Sequence, residues 1–239
     1  MNDQIQPEVL NPQQVAFYEA FGFLVLRLAF SSAEMTIIER DFDAMMLEDR
    51  NGETFDENER QVVYSGIEKQ PGFKTTVMED ERIPGSVQQL LGPGFNLDGT
   101  DANMYVGDTN WHGDHGWHPG MLRGDPDPEI ITMRYFPGLK VAFYLDPVTR
   151  ETGCLRVIPG GHIRSFHDSL RSLYHNLSPQ VRAELENLGV EPRDVPSNAL
   201  ESDPGDVVFF SHQMWHASFG GRNGRRMISL NFKGKGVEK

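Results

Sequence analysis

The sequence predicts a mainly β protein, an antiparallel jelly roll or barrel with helices buttressing one sheet. Two observations carry this. Two capped helix signals stand at the front of the chain, and short apolar segments separated by turn residues follow over roughly 130 residues. The chain contains no internal repeat and no low-complexity tract, so solenoid and fibrous classes are set aside.

The elements follow in order. Asn11-Pro12 reads as a helix start, with the asparagine as N-cap and the proline in the first helical position. That helix sets Val15, Tyr18 and Phe21 on one face and stops at Gly22. Phe23–Leu28 (FLVLRL) reads as a strand. Ser31 with Glu34 forms a capping-box pattern ahead of a second helix carrying Met35, Ile38, Phe42 and Met45 on its apolar face. Residues 47–75 are polar and turn-rich, and are expected to form loops and edges. Short strands are expected at Met104–Val106, Val141–Leu145, Leu155–Ile158, Val207–Phe210 and Met227–Phe232. Ser178-Pro179 begins a further helix that ends at Gly189.

A chain of 239 residues is expected to form one domain, 1–239, large enough to bury a substantial core. The net charge of −13 leaves no basic stripe to neutralise phosphates, so nucleic acid is not an expected partner. It mildly disfavours a large polyanionic substrate but allows a local basic pocket around one small acid. No apolar run suits a secretory signal or a membrane-spanning helix, so no membrane partner is expected. A single cysteine, Cys154, excludes an internal disulfide and fits a reducing cytoplasm.

The chemistry concentrates in NWHGDHGWHPG, residues 110–120. Side chains at i and i+2 of a strand point the same way, so His112 and Asp114 converge, whereas His115 would point away. A third ligand must come from elsewhere, and GDVVFFSHQMWHASFGGRNGRR offers His212 and His216. Two imidazoles and a carboxylate on one face of a metal leave positions open, as in non-heme Fe(II) oxygenases. Zinc is the competing reading, with His112, His115 and His118 joined by a carboxylate. Arg225 lies nine residues past His216, at the start of the strand RMISLNF, where an arginine fork can grip a dicarboxylate. The plainer alternative makes Arg225 and Arg226 solvated hairpin residues.

Taken together, VAFYEAFGFLVLRLAFSSAEM, the WHGD strand, KVAFYLDP with ETGCLRVIPGGH, and GDVVFFSHQMWHASFGGRNGRRMISLNF cover most of the chain. In this order they resemble the phytanoyl-CoA dioxygenase family of Fe(II)/2-oxoglutarate oxygenases. The resemblance implies a double-stranded β-helix, a jelly-roll variant with the metal inside its open end. It also implies Fe(II) on His112, Asp114 and His216, 2-oxoglutarate and O2 as co-substrates, and Arg225 on the distal carboxylate with Ser218 as a nearby hydrogen-bond donor. The expected reaction hydroxylates a C–H bond of a small molecule while 2-oxoglutarate becomes succinate. Desaturation and cyclisation are alternatives on the same scaffold. Halogenation ranks lower because Asp114 occupies the place a halide would need. A non-catalytic jelly-roll protein with a zinc or vestigial metal site is the rival from another class. Gly161 departs from the family's usual PGSH and is read as a turn variant.

Trp117 and His118 sit in a Gly/Pro-rich loop beside the motif and are expected to touch or cover substrate. Lys140 and Tyr144 share one strand face, Cys154 and Arg156 another; with Arg134, the residues Lys140, Tyr144 and Arg156 are the remaining pocket candidates. Trp111 and Trp215 should face away from the metal into the core. His212 reads as a strand-end residue, His162 and His167 as structural or exposed, and Cys154 as an inert small hydrophobe.

Overall fold

Local capping sets the first two helices. The Asn11 side chain accepts the Gln14 N–H at 2.9 Å while the Gln14 side chain accepts the Asn11 N–H at 2.8 Å, which opens α1 (Pro12–Phe21). Gly22 closes it at φ 79, in the left-handed region. Ser31 and Glu34 make the same reciprocal box for α2 (Ser32–Asp49), whose Met35, Ile38, Phe42 and Met45 are buried. On α1, Tyr18 is buried and Val15 packs on the core, but Phe21 does not join them. It remains 43% exposed and stacks on Phe17, with 4.7 Å between ring centroids.

A computed structural model describes residues 9–114, 138–163, 166, 189 and 191–234. The expected helix from Ser178-Pro179 lies outside them. Strand β1 (Phe23–Leu26) ends two residues earlier than expected, because the chain turns at Leu28 with φ 51. The stretch 47–75 holds more than loops: α2 runs into it and β2 (Gln61–Tyr64) is an edge strand, as its polarity suggests. The short α3 (Pro71–Phe73) then continues into a π turn over Lys74–Met78, tied down by the Phe73 N–H donating to Asp41 Oδ2 at 2.8 Å. A further helix, α4 (Arg82–Leu91), buries Ile83 and Val87.

The remaining strands are β3 (Asn96–Tyr105), β4 (Thr109–His112), β5 (Gly138–Tyr144), β6 (Leu155–Val157), β7 (Asn198–Leu200), β8 (Val207–Ser211), β9 (His216–Ser218) and β10 (Arg225–Lys233). They form two antiparallel sheets, a six-stranded one in the order β1-β8-β5-β10-β3-β2 and a four-stranded one in the order β4-β9-β6-β7. This is the expected mainly β jelly roll with flanking helices.

The larger sheet is apolar on both faces, and its alternation sorts two cores. Leu139, Val141 and Phe143 of β5, Val207 and Phe209 of β8, and Ile228, Leu230 and Phe232 of β10 pack against the helices. The interleaved Ala142 and Tyr144, Val208 and Phe210, and Met227 face the smaller sheet. Toward one end of that inner face the series turns polar, with Lys140 after Ala142 on β5 and Ser229 and Asn231 after Met227 on β10. Among the described residues, no helix is long and apolar enough to cross a membrane.

Candidate metal and carboxylate site

Strands β4 and β9 are neighbours, and their register sets His112 opposite His216. The two imidazoles lie 4.1 Å apart, centroid to centroid. Each ring is anchored through Nδ1: His112 Nδ1 faces Asn110 O at 2.7 Å and His216 Nδ1 faces Met214 O at 2.9 Å. A carbonyl only accepts, so Nδ1 carries the proton in both rings and Nε2 presents its lone pair. The alternation that turns these rings inward turns Trp111 outward. It is 1% exposed, packs in a separate core with Trp215 and Phe219, and donates Nε1–H to Pro192 O at 2.7 Å. Both tryptophans are core residues, as expected.

Asp114 lies two residues beyond the end of β4, with its N–H donating to His212 O at 3.1 Å. Its carboxylate sits 3.9 Å from His112 Nε2 and 3.7 Å from His216 Nε2. One ligand atom from each of His112, Asp114 and His216 lies within 4.8 Å of the others, the spacing of a pre-formed metal site. Burial, reinforced by the neighbouring His112, pushes the His216 imidazole down to about 3, so it is neutral at ordinary pH, the form that can bind a metal. For Asp114, burial opposes ionisation. The Lys140 ammonium at 3.0 Å and the surrounding imidazoles outweigh it and hold the carboxyl well below the usual carboxylate range.

Across the cavity, Arg225 begins β10 directly opposite Tyr105 of β3. It is only 2% exposed, with its guanidinium carbon 5.0 Å from the Tyr105 ring centroid. Nε and Nη1 have no hydrogen-bond partner among the described residues. Glycines back the group: a Cβ at Gly153 or Gly221 would overlap the Arg225 guanidinium. Arg226, one position on, points to the other side of the sheet and pairs with Asp146 and Asp43, each at 3.1 Å. Strand phase thus separates the two arginines, one buried with donors free and one paired.

His112, Asp114, His216 and Arg225 all line one cavity of about 220 Å³. Lys140 and Tyr144 line it too, as the shared strand face suggested. Arg156 does not. On β6 it is Leu155 that meets the cavity, while Arg156 donates to Arg193 O at 2.8 Å and Arg150 O at 2.9 Å and lies over Phe219. Ser218 lines the cavity, but its hydroxyl already donates to Gly153 O at 2.8 Å, so it offers the space an acceptor rather than the expected donor. His212 is buried at the end of β8, outside the triad. Cys154 is buried, and burial pushes its thiol up to about 11, the behaviour of an inert hydrophobe. His162 sets Nε2 against Glu19 O at 3.1 Å, a structural contact. His115, Trp117, His118, Arg134 and His167 lie outside the described residues. Asp101, Tyr105 and Arg60 also line the cavity and were not singled out from the sequence. Tyr105 falls within the expected strand Met104–Val106, but a three-residue segment does not reveal its inward face.

The donor set fits a divalent metal that keeps open positions, since two neutral imidazoles and one carboxylate supply three ligands. The guanidinium fits a small carboxylate. An arginine buried without an anion is costly, and Arg225 lines the same cavity as the triad.

A search of curated proteins gives no match to this sequence. Among solved structures, EctD from S. alaskensis in its apoform superposes with a TM-score of 0.67 at 21% identity, covering 98% of this chain and 80% of that one. The non-heme alpha ketoglutarate dependent carbocyclase SnoK from nogalamycin biosynthesis gives a TM-score of 0.66 at 19% identity, covering 94% and 84%. HygX from Streptomyces hygroscopicus, solved with nickel and 2-oxoglutarate bound, gives 0.65 at 17% identity, covering 95% and 88%. The family model for phytanoyl-CoA dioxygenase (PhyH) matches residues 18–228. The chain belongs to the phytanoyl-CoA dioxygenase family.

Proposed function

We propose that this oxygenase hydroxylates a C–H bond of a small molecule, with His112, Asp114 and His216 holding Fe(II) and Arg225 holding the distal carboxylate of 2-oxoglutarate. The observation that carries the reading is Arg225, buried beside the triad with Nε and Nη1 unpartnered among the described residues. A small anion entering the cavity would answer that buried charge. The relatives are consistent with it. EctD has been solved with bound Fe and with 2-oxoglutarate and 5-hydroxyectoine, and HygX with nickel, 2-oxoglutarate and hygromycin B.

Iron held there would supply the oxidising power with O2 and 2-oxoglutarate, the latter leaving as succinate and CO2 with one oxygen atom of O2 in succinate and the other in the product. The chain's own residues do the rest. The two Nδ1 anchors fix which nitrogen each imidazole presents. Tyr105 stacks on Arg225 and orients its fork, and the glycines behind it let the guanidinium lie against backbone. Tyr144, Leu155, Phe210 and Met227 give the cavity an apolar wall that displaces water from the reacting centre. A cavity of about 220 Å³ favours a small substrate over a bulky one.

The test is a screen of small polar metabolites for substrate-stimulated succinate formation, with mass spectrometry of the product. A gain of one oxygen atom supports hydroxylation; a loss of two hydrogens identifies desaturation or ring closure. Stoichiometric zinc with no 2-oxoglutarate turnover would favour the non-catalytic reading.

A further inference from the structure

Lys140 is a lysine where strand alternation calls for an apolar residue. Its neighbours along β5, Leu139 and Val141, are fully buried on one face, and Ala142 and Tyr144 are buried on its own face. The Lys140 side chain is only 12% exposed. An ammonium in such a place costs several kcal/mol unless charges answer it. Two do: Asp114 Oδ2 at 3.0 Å and Asp101 Oδ2 at 3.8 Å.

The three ligand-bearing positions are not equally fixed. His112 and His216 lie within a strand ladder and are anchored at Nδ1. Asp114 lies past the end of β4, where, among the described residues, its backbone is held by one bond to His212 O. Among the described residues, Lys140 is the only lysine or arginine within ion-pair distance of the Asp114 carboxylate. Asp101 is itself locked to the larger sheet, accepting from Ser229 Oγ at 2.8 Å and Asn231 Nδ2 at 3.2 Å. The chain of contacts Ser229/Asn231–Asp101–Lys140–Asp114 therefore runs from the floor of the six-stranded sheet to the carboxylate at the metal site.

We infer that Lys140 is a positioning residue: it clamps Asp114 through the fixed Asp101 and so holds the carboxylate in ligating position, rather than contacting substrate. The inference rests on the assignment of His112, Asp114 and His216 as the metal site. The opposite expectation is equally physical. A cation beside a divalent metal repels it, so a lysine with no positioning role would weaken metal binding, and its removal would strengthen it.

The experiment measures Mn(II) binding to the metal-free full-length protein by calorimetry, for wild type, Lys140→Met and Asp114→Asn. The expected result is roughly tenfold or greater weakening in Lys140→Met, the scale of losing an outer partner of a metal ligand. At saturating Mn(II), 2-oxoglutarate affinity should stay near wild type, because Arg225 is untouched; a general loss of structure would lower both. Lys140→Met leaves Asp101 and Asp114 facing each other without a cation, so Asp101→Asn/Lys140→Met provides a second variant without that repulsion, expected to show the same metal loss. Unchanged or tighter Mn(II) binding in the lysine variants overturns the inference. If Asp114→Asn also binds Mn(II) as wild type does, the metal assignment itself fails. If Asp114→Asn loses Mn(II) while the lysine variants keep it, only the role of Lys140 fails.

Discussion

Replacing Arg225 with alanine removes a cavity-lining guanidinium whose Nε and Nη1 have no partner among the described residues, whereas replacing Arg226 removes one that already has two. The two substitutions are therefore expected to separate. Arg225→Ala should lose about 2–5 kcal/mol of 2-oxoglutarate binding, the cost of truncating one side of a buried charge pair, and should leave metal binding intact. Titration with 2-oxoglutarate in the presence of Mn(II) reads this directly. Arg226→Ala should leave that affinity unchanged and lower stability by about 1 kcal/mol, since Asp146 keeps Arg222 at 3.0 Å. The reverse pattern would place the functional arginine one residue later. At this scale the sequence was informative where a polar residue stood in a strand of clear phase. His112, Asp114, His216 and Arg225 were named together only through the family resemblance, the strand pattern having left His212 beside His216, and the structure gathers the four round one cavity. Arg156 was misplaced, because Leu155, Arg156 and Val157 of β6 are all buried and the strand has no solvent side to fix its phase.

Glu34 shows how one carboxylate serves two elements. It completes the capping box of α2 and also pairs with Arg82 of α4, Oε1 to Nη2 at 2.5 Å. The Arg82 hydrogen bond, then those from Ser31, lower its pKa from 4.5 to about 2. A lowered carboxylate contributes stability that is complete above the unfolded value and is lost as pH falls through the folded one. Glu34→Gln is thus expected to be less stable than wild type at pH 7. The gap should narrow as pH drops from about 4.5 toward about 2, where wild-type Glu34 is itself protonated. Chemical denaturation of both proteins across that range would show it; a pH-independent gap would mean the carboxylate's charge is not what holds α2 to α4. Helix α2 was legible from its cap and period. Helix α4 was not, because RIPGSVQQLL carries Pro84 and Gly85 inside it and its N-cap, Glu81, makes no capping hydrogen bond. Strand β9 escaped for another reason: HAS is three residues long and buried throughout, too short to show an alternation.

Over the whole molecule, the metal and its co-substrate should behave as folding ligands. Each binds the native state alone, so each raises stability by mass action, about 2.7 kcal/mol at a hundredfold excess over Kd. Thermal unfolding of wild type is expected to rise on adding Mn(II) and again on adding 2-oxoglutarate. Arg225→Ala should show the first rise without the second, and Asp114→Asn neither. The jelly-roll architecture itself was readable because its core strands β5, β8 and β10 are short apolar runs, buried on both faces and set off by turn residues. The polar end of the inner face, with Asp101, Lys140 and Asn231, was harder to see. Its members lie on three strands, and only pairing brings them together.

The proposed ligands come from opposite walls. His112 and His216 belong to the four-stranded sheet and Arg225 to the six-stranded one. A dicarboxylate gripped at one end by the metal and at the other by the arginine would act as a removable cross-link between the two leaves of the sandwich. The smaller leaf has more to gain from it, since β9 contributes only three residues and β4 only four. Amide hydrogen exchange is then expected to slow most in β4 and β9 when 2-oxoglutarate joins the Mn(II)-loaded protein, and least in the centre of β5, which is already enclosed by β8 and β10. Uniform slowing, or none, would mean the leaves are joined well enough without it. On this account the co-substrate opens the reaction and also sets how tightly the two sheets are held while it proceeds.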